Sequence, residues 1–127
     1  MKFGRFIVQI KLISGLMLIL LGTGCAQLDQ AIAVNSSKSR FDDAVYKGVT
    51  TVIAENKDGL EEYRVYYQAP NGFVDVYVAQ GIATSAANRH CMMRNMKTVF
   101  FRETVSQPPH VLGNFPRAEV VFGCKSF

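Results

Sequence analysis

The sequence predicts an α+β fold: a two-layer β-β-α-β-β domain in which one helix packs on a small, mainly antiparallel sheet. Two observations lead to this prediction. Runs of β-branched and aromatic residues lie on either side of Asp58-Gly59, a pair typical of a hairpin turn because glycine tolerates positive φ. Further along, Ala79, Ala83 and Ala86 recur at the three- and four-residue steps of a helix face.

The first two strands are expected near 49–55 and 61–68, paired as a hairpin around the Asp-Gly turn. In the second strand Tyr63, Val65 and Tyr67 alternate with more polar neighbours. One face of this strand should therefore be buried and the other wet.

A helix is expected over at least 84–95, and its alanine-rich face would allow close approach to a sheet. Two interpretations of residues 73–78 stay open. The helix begins near Val74, or these residues form a strand in a second hairpin around the Pro-Asn-Gly turn at 70–72.

The remaining elements follow from composition. Residues 97–105 predict a strand with Phe100 and Phe101 on opposite faces. Residues 107–117 hold three prolines and a glycine and predict an irregular loop. A final strand is expected over 118–124.

The first 24 residues have the layout of a secretory signal. Lys2, Arg5 and Lys11 supply positive charge, no acidic residue is present, and a mostly apolar run follows over 12–21. This run is too short for a membrane-spanning helix, which needs about 20 apolar residues. The alternative is that the segment is retained as an uncleaved anchor.

The tract LGTGC at 21–25 resembles the lipobox of bacterial lipoprotein precursors, although its leucine lies one residue earlier than in the commonest form. The resemblance implies cleavage before Cys25 and acylation of its sulfur and amino group, which anchors a protein durably once two or more chains insert. Ala26 stands where aspartate would imply retention at the inner membrane. The implied location is the periplasmic face of the outer membrane.

The predicted organisation has three parts: a signal peptide at 1–24, a lipidated cysteine with a flexible tether at 25–40, and a single domain at 41–127. The tether prediction comes from the small and polar residues that precede the first hydrophobic run.

With Cys25 assigned to lipid, Cys91 and Cys124 remain as an even pair in a chain sent to an oxidising compartment. They are expected to form one disulfide that staples the helix to the last strand, worth about 3 to 4 kcal/mol on the chain-entropy estimate. The alternative is a nucleophilic Cys91 activated by His90. It is disfavoured because adjacent helical residues rarely face each other and no acid is placed to orient the imidazole.

Ala83, Ala87 and Cys91, with the closing segment 115–124, resemble a loose group of small bacterial envelope lipoproteins. The order of elements also has an architectural likeness to the outer-membrane lipoprotein that senses stress for the Rcs phosphorelay. That sensor has more cysteines in its folded domain, so its role is not carried over.

Composition excludes several function classes. The signal carries three of the 14 cations and none of the 10 anions, so the remainder is nearly neutral and nucleic-acid binding has little support. His90 and His110 form no recognisable metal site with the cysteines. Glu61 and Glu62 adjoin on a strand and so face opposite ways, which does not suit a glycosidase pair. We expect no enzymatic activity, no cofactor and no metal.

The sequence therefore predicts a membrane-anchored envelope lipoprotein with a non-enzymatic binding or structural role, or alternatively an envelope stress sensor or an inhibitor of a periplasmic or host enzyme. Four basic residues around the helix end could face lipid phosphates, peptidoglycan or an acidic envelope protein: Arg89, Arg94, Lys97 and Arg102. A merely solvated face is the alternative. The proline-rich loop with His110, Phe115 and Arg117 is a second candidate contact surface, with a plain connector as its alternative.

Overall fold

A computed structural model of the protein describes residues 25–127. The signal predicted at 1–24, including the small residues before Cys25, lies outside the described residues. The elements are β1 (Gln27–Leu28), β2 (Ile32–Ala33), a 3₁₀ turn (Val34–Ser36), β3 (Gly48–Val52), β4 (Tyr63–Gln68), α1 (Val76–Met92), β5 (Met96–Ser106) and β6 (Arg117–Ser126). Within residues 25–127, no helix is both long and apolar enough to cross a bilayer.

The strands form one antiparallel sheet in the order β1-β4-β6-β5-β3, with β2 also paired to β4. The central strand β6 pairs with β4 on one side and β5 on the other, and it is buried from Arg117 to Gly123. Burial on both faces explains its nearly continuous apolar sequence. The predicted α+β class, with one helix on an antiparallel sheet, is confirmed.

Helix α1 covers one face of the sheet. The Asp75 side chain accepts a hydrogen bond from the backbone N–H of Tyr77 at 2.8 Å and caps the first turn. The cap sets the helix start, so residues 76–78 are helical and no second hairpin forms around 70–72. The helix extends earlier than the predicted range 84–95 and ends at Met92, after which Asn95 takes a left-handed backbone with φ 55°.

The contact between helix and sheet uses small residues. Ala79, Ala83, Ala87 and Cys91 are completely buried at four-residue steps and pack on the apolar residues of β4 and β6, with Phe122 the largest. Alanine buries little apolar surface, so the helix gains less from burial than a leucine-faced helix would. A covalent link at the carboxyl end of the helix would therefore add stability that the alanine packing does not supply.

The disulfide between Cys91 and Cys124 supplies that link, with the two Cα atoms 5.3 Å apart. It joins the last turn of α1 to β6, and the predicted pairing is confirmed. The bond joins residues 33 positions apart and so lowers the conformational entropy of the unfolded chain. On the chain-entropy estimate this adds about 3 to 4 kcal/mol to the free energy of unfolding.

The predicted hairpin between the first two long strands is wrong. β3 pairs with β5 and β4 pairs with β6, so two strands lie between β3 and β4. The chain does turn at Gly59, whose φ is 63°, and the Asn56 side chain closes that turn on the backbone of Leu60. The turn signal is local, whereas the pairing follows burial of apolar faces across the whole sheet.

The tether predicted at 25–40 is also corrected. Gln27 pairs with Gln68, and Ile32 pairs with Arg64, so β1 and β2 line the outer edge of β4. Without them β4 would present a row of unpaired N–H and C=O groups. The predicted boundary at 40/41 therefore does not separate a tether from a domain.

Phe100 and Phe101 lie on opposite faces, as predicted, and a β-bulge separates them. Phe100 packs against the helix-side core, while Phe101 is buried on the other face beside Gly123. The register shifts between Phe100 and Arg102, which makes Phe101 the extra residue of the bulge. The loop 107–116 is irregular, also as predicted.

Replacing Ala83 with leucine tests the close approach of α1. The larger side chain has no room between helix and sheet, so we expect Ala83→Leu to lower the free energy of unfolding by about 1 to 3 kcal/mol in urea denaturation. Ser85→Leu places the same side chain on the exposed face of the helix and should have little effect. Equal losses in the two variants would contradict this packing.

Candidate functional site

Cys25 lies two residues before β1 and is exposed, with a free thiol. Because β1 runs antiparallel to β4 and Gln27 pairs with Gln68, the chain before Gln27 continues past the end of β4 toward Pro70. A group attached to Cys25 would therefore be held close to this end of the sheet. This position follows from the β1 pairing, which the sequence did not predict.

A groove runs between α1 and the β1–β2 edge. Its main part has a volume of about 450 Å³, and a neighbouring depression of about 390 Å³ shares Leu28, Ala86 and Arg89 with it. The floor is apolar, with Ala31 and Val65 among its lining residues. One carboxylate also lines the groove, Asp29, and Arg40 binds it at 2.8 Å.

Only two of the four basic residues predicted as a binding surface line this groove. Arg89 and Arg94 lie on its rim, and neither meets a carboxylate among residues 25–127. Arg94 donates a hydrogen bond to the His90 carbonyl at 2.8 Å. Both guanidinium groups are therefore open to an anionic partner.

Lys97 and Arg102 lie on the opposite face of the sheet, so the prediction of one surface formed by all four residues is corrected. Arg102 stands opposite Val121, and alternate residues of β6 face the helix. The bulge at Phe101 adds one residue, which turns Arg102 to the same face as Lys97. Arg102 is also bound by Glu62, with Nη1 and Oε1 3.1 Å apart.

His90 borders the groove and takes part in an aromatic cluster. Its ring centroid lies 4.8 Å from that of Tyr63 and 5.6 Å from that of Phe122. Burial of the ring, and then the nearby positive charge of Arg94, lower the pKa of His90 below its ordinary value. Both causes favour the neutral form of the imidazole. Its neighbour Cys91 is in the disulfide and is no nucleophile, which removes the alternative of a His90-activated thiol.

The face of the sheet remote from α1 holds a buried ion pair that sequence reasoning missed. The Arg64 guanidinium lies 3.3 Å from a carboxylate oxygen of Glu119, and the backbone N–H of Arg40 donates to the other oxygen at 3.1 Å. Phe41 and Tyr66 pack beside it. The expectation that this face of β4 is wet is therefore corrected, because residues around Phe41 cover it.

The proline-rich loop has fewer side chains available to contact a partner than the sequence indicated. The Arg117 guanidinium donates to the Tyr46 carbonyl at 2.6 Å and stacks 4.5 Å from the centre of the Phe41 ring. It is therefore buried inside the domain. His110 is hydrogen-bonded to the Ser106 hydroxyl at 3.0 Å. Two of the three loop residues proposed for contact thus have structural partners.

In the described part of the chain, no three His, Cys, Asp or Glu side chains are grouped as metal ligands. Comparisons with protein-family models, with curated proteins and with solved structures found no match for this chain. Cys25 and the groove are the features of the described chain whose chemistry bears on function.

The pKa of His90 is a direct test of the groove's electrostatics. Titration by NMR should give a value below 6.5, the ordinary value, and Arg94→Ala should raise it because the second cause is removed. Since the unfolded chain takes up this proton first, the His90 contribution to stability is lost as the pH falls below about 6.5 toward the folded-state pKa. An unchanged pKa in both Arg94→Ala and the control Arg89→Lys would contradict the role of Arg94.

Proposed function

We propose that this chain is a lipoprotein of the bacterial cell envelope, held on a membrane by an acylated Cys25 and serving a non-enzymatic binding role. The observation that carries the proposal is the lipobox-like tract 21–25, whose cysteine is the one thiol outside the disulfide among the described residues. The Cys91–Cys124 disulfide supports export, because such bonds persist in oxidising compartments. By the Ala26 criterion, the periplasmic face of the outer membrane is the proposed location.

We further propose that the groove beside α1 binds an acidic segment of another envelope protein. The support is charge complementarity. Three arginines on the described chain are matched by its own carboxylates: Arg40 by Asp29, Arg64 by Glu119 and Arg102 by Glu62. Arg89 and Arg94 are not, and they flank an apolar floor. A partner with carboxylates beside apolar side chains would satisfy both features.

Replacement of Cys25 with serine tests the anchor. Serine cannot form the thioether, so we expect Cys25→Ser to lose both normal trimming and co-fractionation with membranes. The double variant Cys91→Ser/Cys124→Ser is the matched control: it removes the disulfide and should remain on the membrane. A Cys25→Ser protein that is trimmed normally and still fractionates with membranes would refute the anchor.

Loss of the two free arginines tests the groove. We expect Arg89→Ala/Arg94→Ala to weaken binding of a labelled glutamate- and leucine-rich peptide by about tenfold or more in fluorescence anisotropy, with strong salt sensitivity in the wild type. Lys57→Ala/Lys97→Ala removes the same charge from exposed positions away from the groove and is the control.

Equal binding by the two double variants would contradict a role for the groove. Purified peptidoglycan is the second ligand to be measured. If the binding of peptidoglycan depends on Arg89 and Arg94 and the binding of the acidic peptide does not, the proposed partner class is wrong.

A further inference from the structure

The end of the sheet that carries Cys25 also collects three loops. β4 ends at Gln68, β6 begins at Arg117, and these two residues pair with each other. β5 ends at Ser106, opposite the start of β3 at Gly48. The chain before α1, the loop after β5 and the segment before β3 therefore all lie at the end toward which Cys25 points.

These loops touch one another. A Cβ on Gly72 would lie 2.3 Å from the carbonyl oxygen of His110, so the loop before α1 contacts the loop after β5. Val45 and Gly113 border the same surface depression, which brings the third segment to this end. We call the surface formed by 44–46, 69–74 and 107–113 the loop end.

The loop end exposes large apolar side chains on neighbouring loops. Phe73 is 100% exposed, Val45 93% and Leu112 88%, and Tyr77 in the first turn of α1 is 76% exposed. A fully exposed phenylalanine at a loop tip gains nothing from folding in water. Large apolar side chains exposed on adjoining loops mark an interaction site.

Charge is sparser on the loops of the loop end than on the connection at the opposite end of the sheet. The three loop-end segments contain no Asp, Glu, Lys or Arg, and the nearest charged residues stand at their margins, with Asp43 and Lys47 on either side of 44–46 and Asp75 directly after 69–74. The opposite end also exposes apolar residues, including Phe127 and Met93, but its connection at 53–62 is dense in charge, with Lys57 and Asp58 at the turn. Uncharged apolar loops enter a lipid interface readily, whereas charged ones oppose entry.

The position of the proposed anchor indicates which partner this surface contacts. This step rests on the proposed acylation of Cys25, which places the lipid two residues before β1, a span of about 7 Å of extended chain. Such a short link gives the domain little freedom to leave the bilayer surface. The apolar boundary of the headgroups, where interfacial side chains bury by about 5 to 10 Å, is then within reach of the loops.

We infer that the loop end docks into the membrane that holds Cys25, with Phe73, Leu112 and Val45 inserted at the lipid interface. This fixes the orientation of the domain. α1 begins at the membrane and runs away from it over 17 residues, a rise of about 25 Å. The carboxyl end of the helix, with Arg89 and Arg94, is thereby presented to the periplasm.

Single tryptophan probes test this docking, because the chain has no native tryptophan. Phe73→Trp places the probe on the loop end, and Phe127→Trp is the matched control at the opposite end, also exposed. Full-length proteins are purified from bacterial membranes and reconstituted in phosphatidylcholine vesicles with and without brominated acyl chains. We expect the Phe73→Trp emission to shift to the blue and to be largely quenched by brominated lipid, with no change for Phe127→Trp.

Leu112→Trp on the neighbouring loop should be quenched like Phe73→Trp. Equal quenching at both ends, or none at either, in protein shown by mass spectrometry to be acylated would overturn the docking and leave the anchor intact. A blue shift at Phe73→Trp without quenching would show that the loop end packs against a second copy of the chain and not against lipid, which also overturns the docking. Protein with an unmodified Cys25 that fails to bind vesicles would refute both the anchor and the docking.

Discussion

The structure depends on the burial of β6 between two covering layers. Its two edges pair with β4 and β5, and its two faces are covered by different parts of the chain. On one face the alanine stripe of α1 packs on Val120 and Phe122, and the disulfide joins the helix to Cys124. On the other face Glu119 receives Arg64 and the backbone of Arg40. Both covering layers are therefore tied to the same strand.

This arrangement also positions the amino-terminal segment. Backbone pairing with β4 holds β1 and β2 at the sheet edge, and the Arg40–Asp29 ion pair joins the turn between them to the segment over the remote face. A chain that follows a lipidated cysteine would often be a loose spacer. Here the sheet begins at Gln27, so the proposed anchor and the fold are almost continuous.

Local features of the fold were predictable from the sequence, and non-local ones were not. The alanine steps of α1, the irregular loop 107–116 and the cysteine pair each depend on short-range patterns or on residue chemistry. The neighbours of β3 and β4 depend on which strands bury two faces, and an Asp-Gly signal carries no such information. β1 and β2 have two residues each, too few for any alternation to be visible.

The same distinction applies to the candidate site. Arg89 and Arg94 can be identified from the sequence because they lie near the helix end. The groove beside them forms only because β1 lies along the sheet edge, and Arg102 faces away from them only because of the β-bulge at Phe101. Neither the edge strand nor the bulge is visible in the sequence. The buried Arg64–Glu119 pair has the sequence of a solvated strand face, because the residues that cover it are distant along the chain. Neither interpretation of residues 73–78, a strand or a helix beginning near Val74, predicts an exposed Phe73 at a loop tip, and only its position near the proposed anchor gives it a role.

The central claim is that Cys25 becomes an acylated amino terminus directly joined to the sheet. Intact mass spectrometry of the protein extracted from bacterial membranes tests it most directly. The account predicts a chain of residues 25–127 carrying a diacylglyceryl group and an amide-linked acyl chain, with the other two cysteines oxidised. A mass that includes Met1, or a mature chain whose Cys25 reacts as a free thiol, would contradict it.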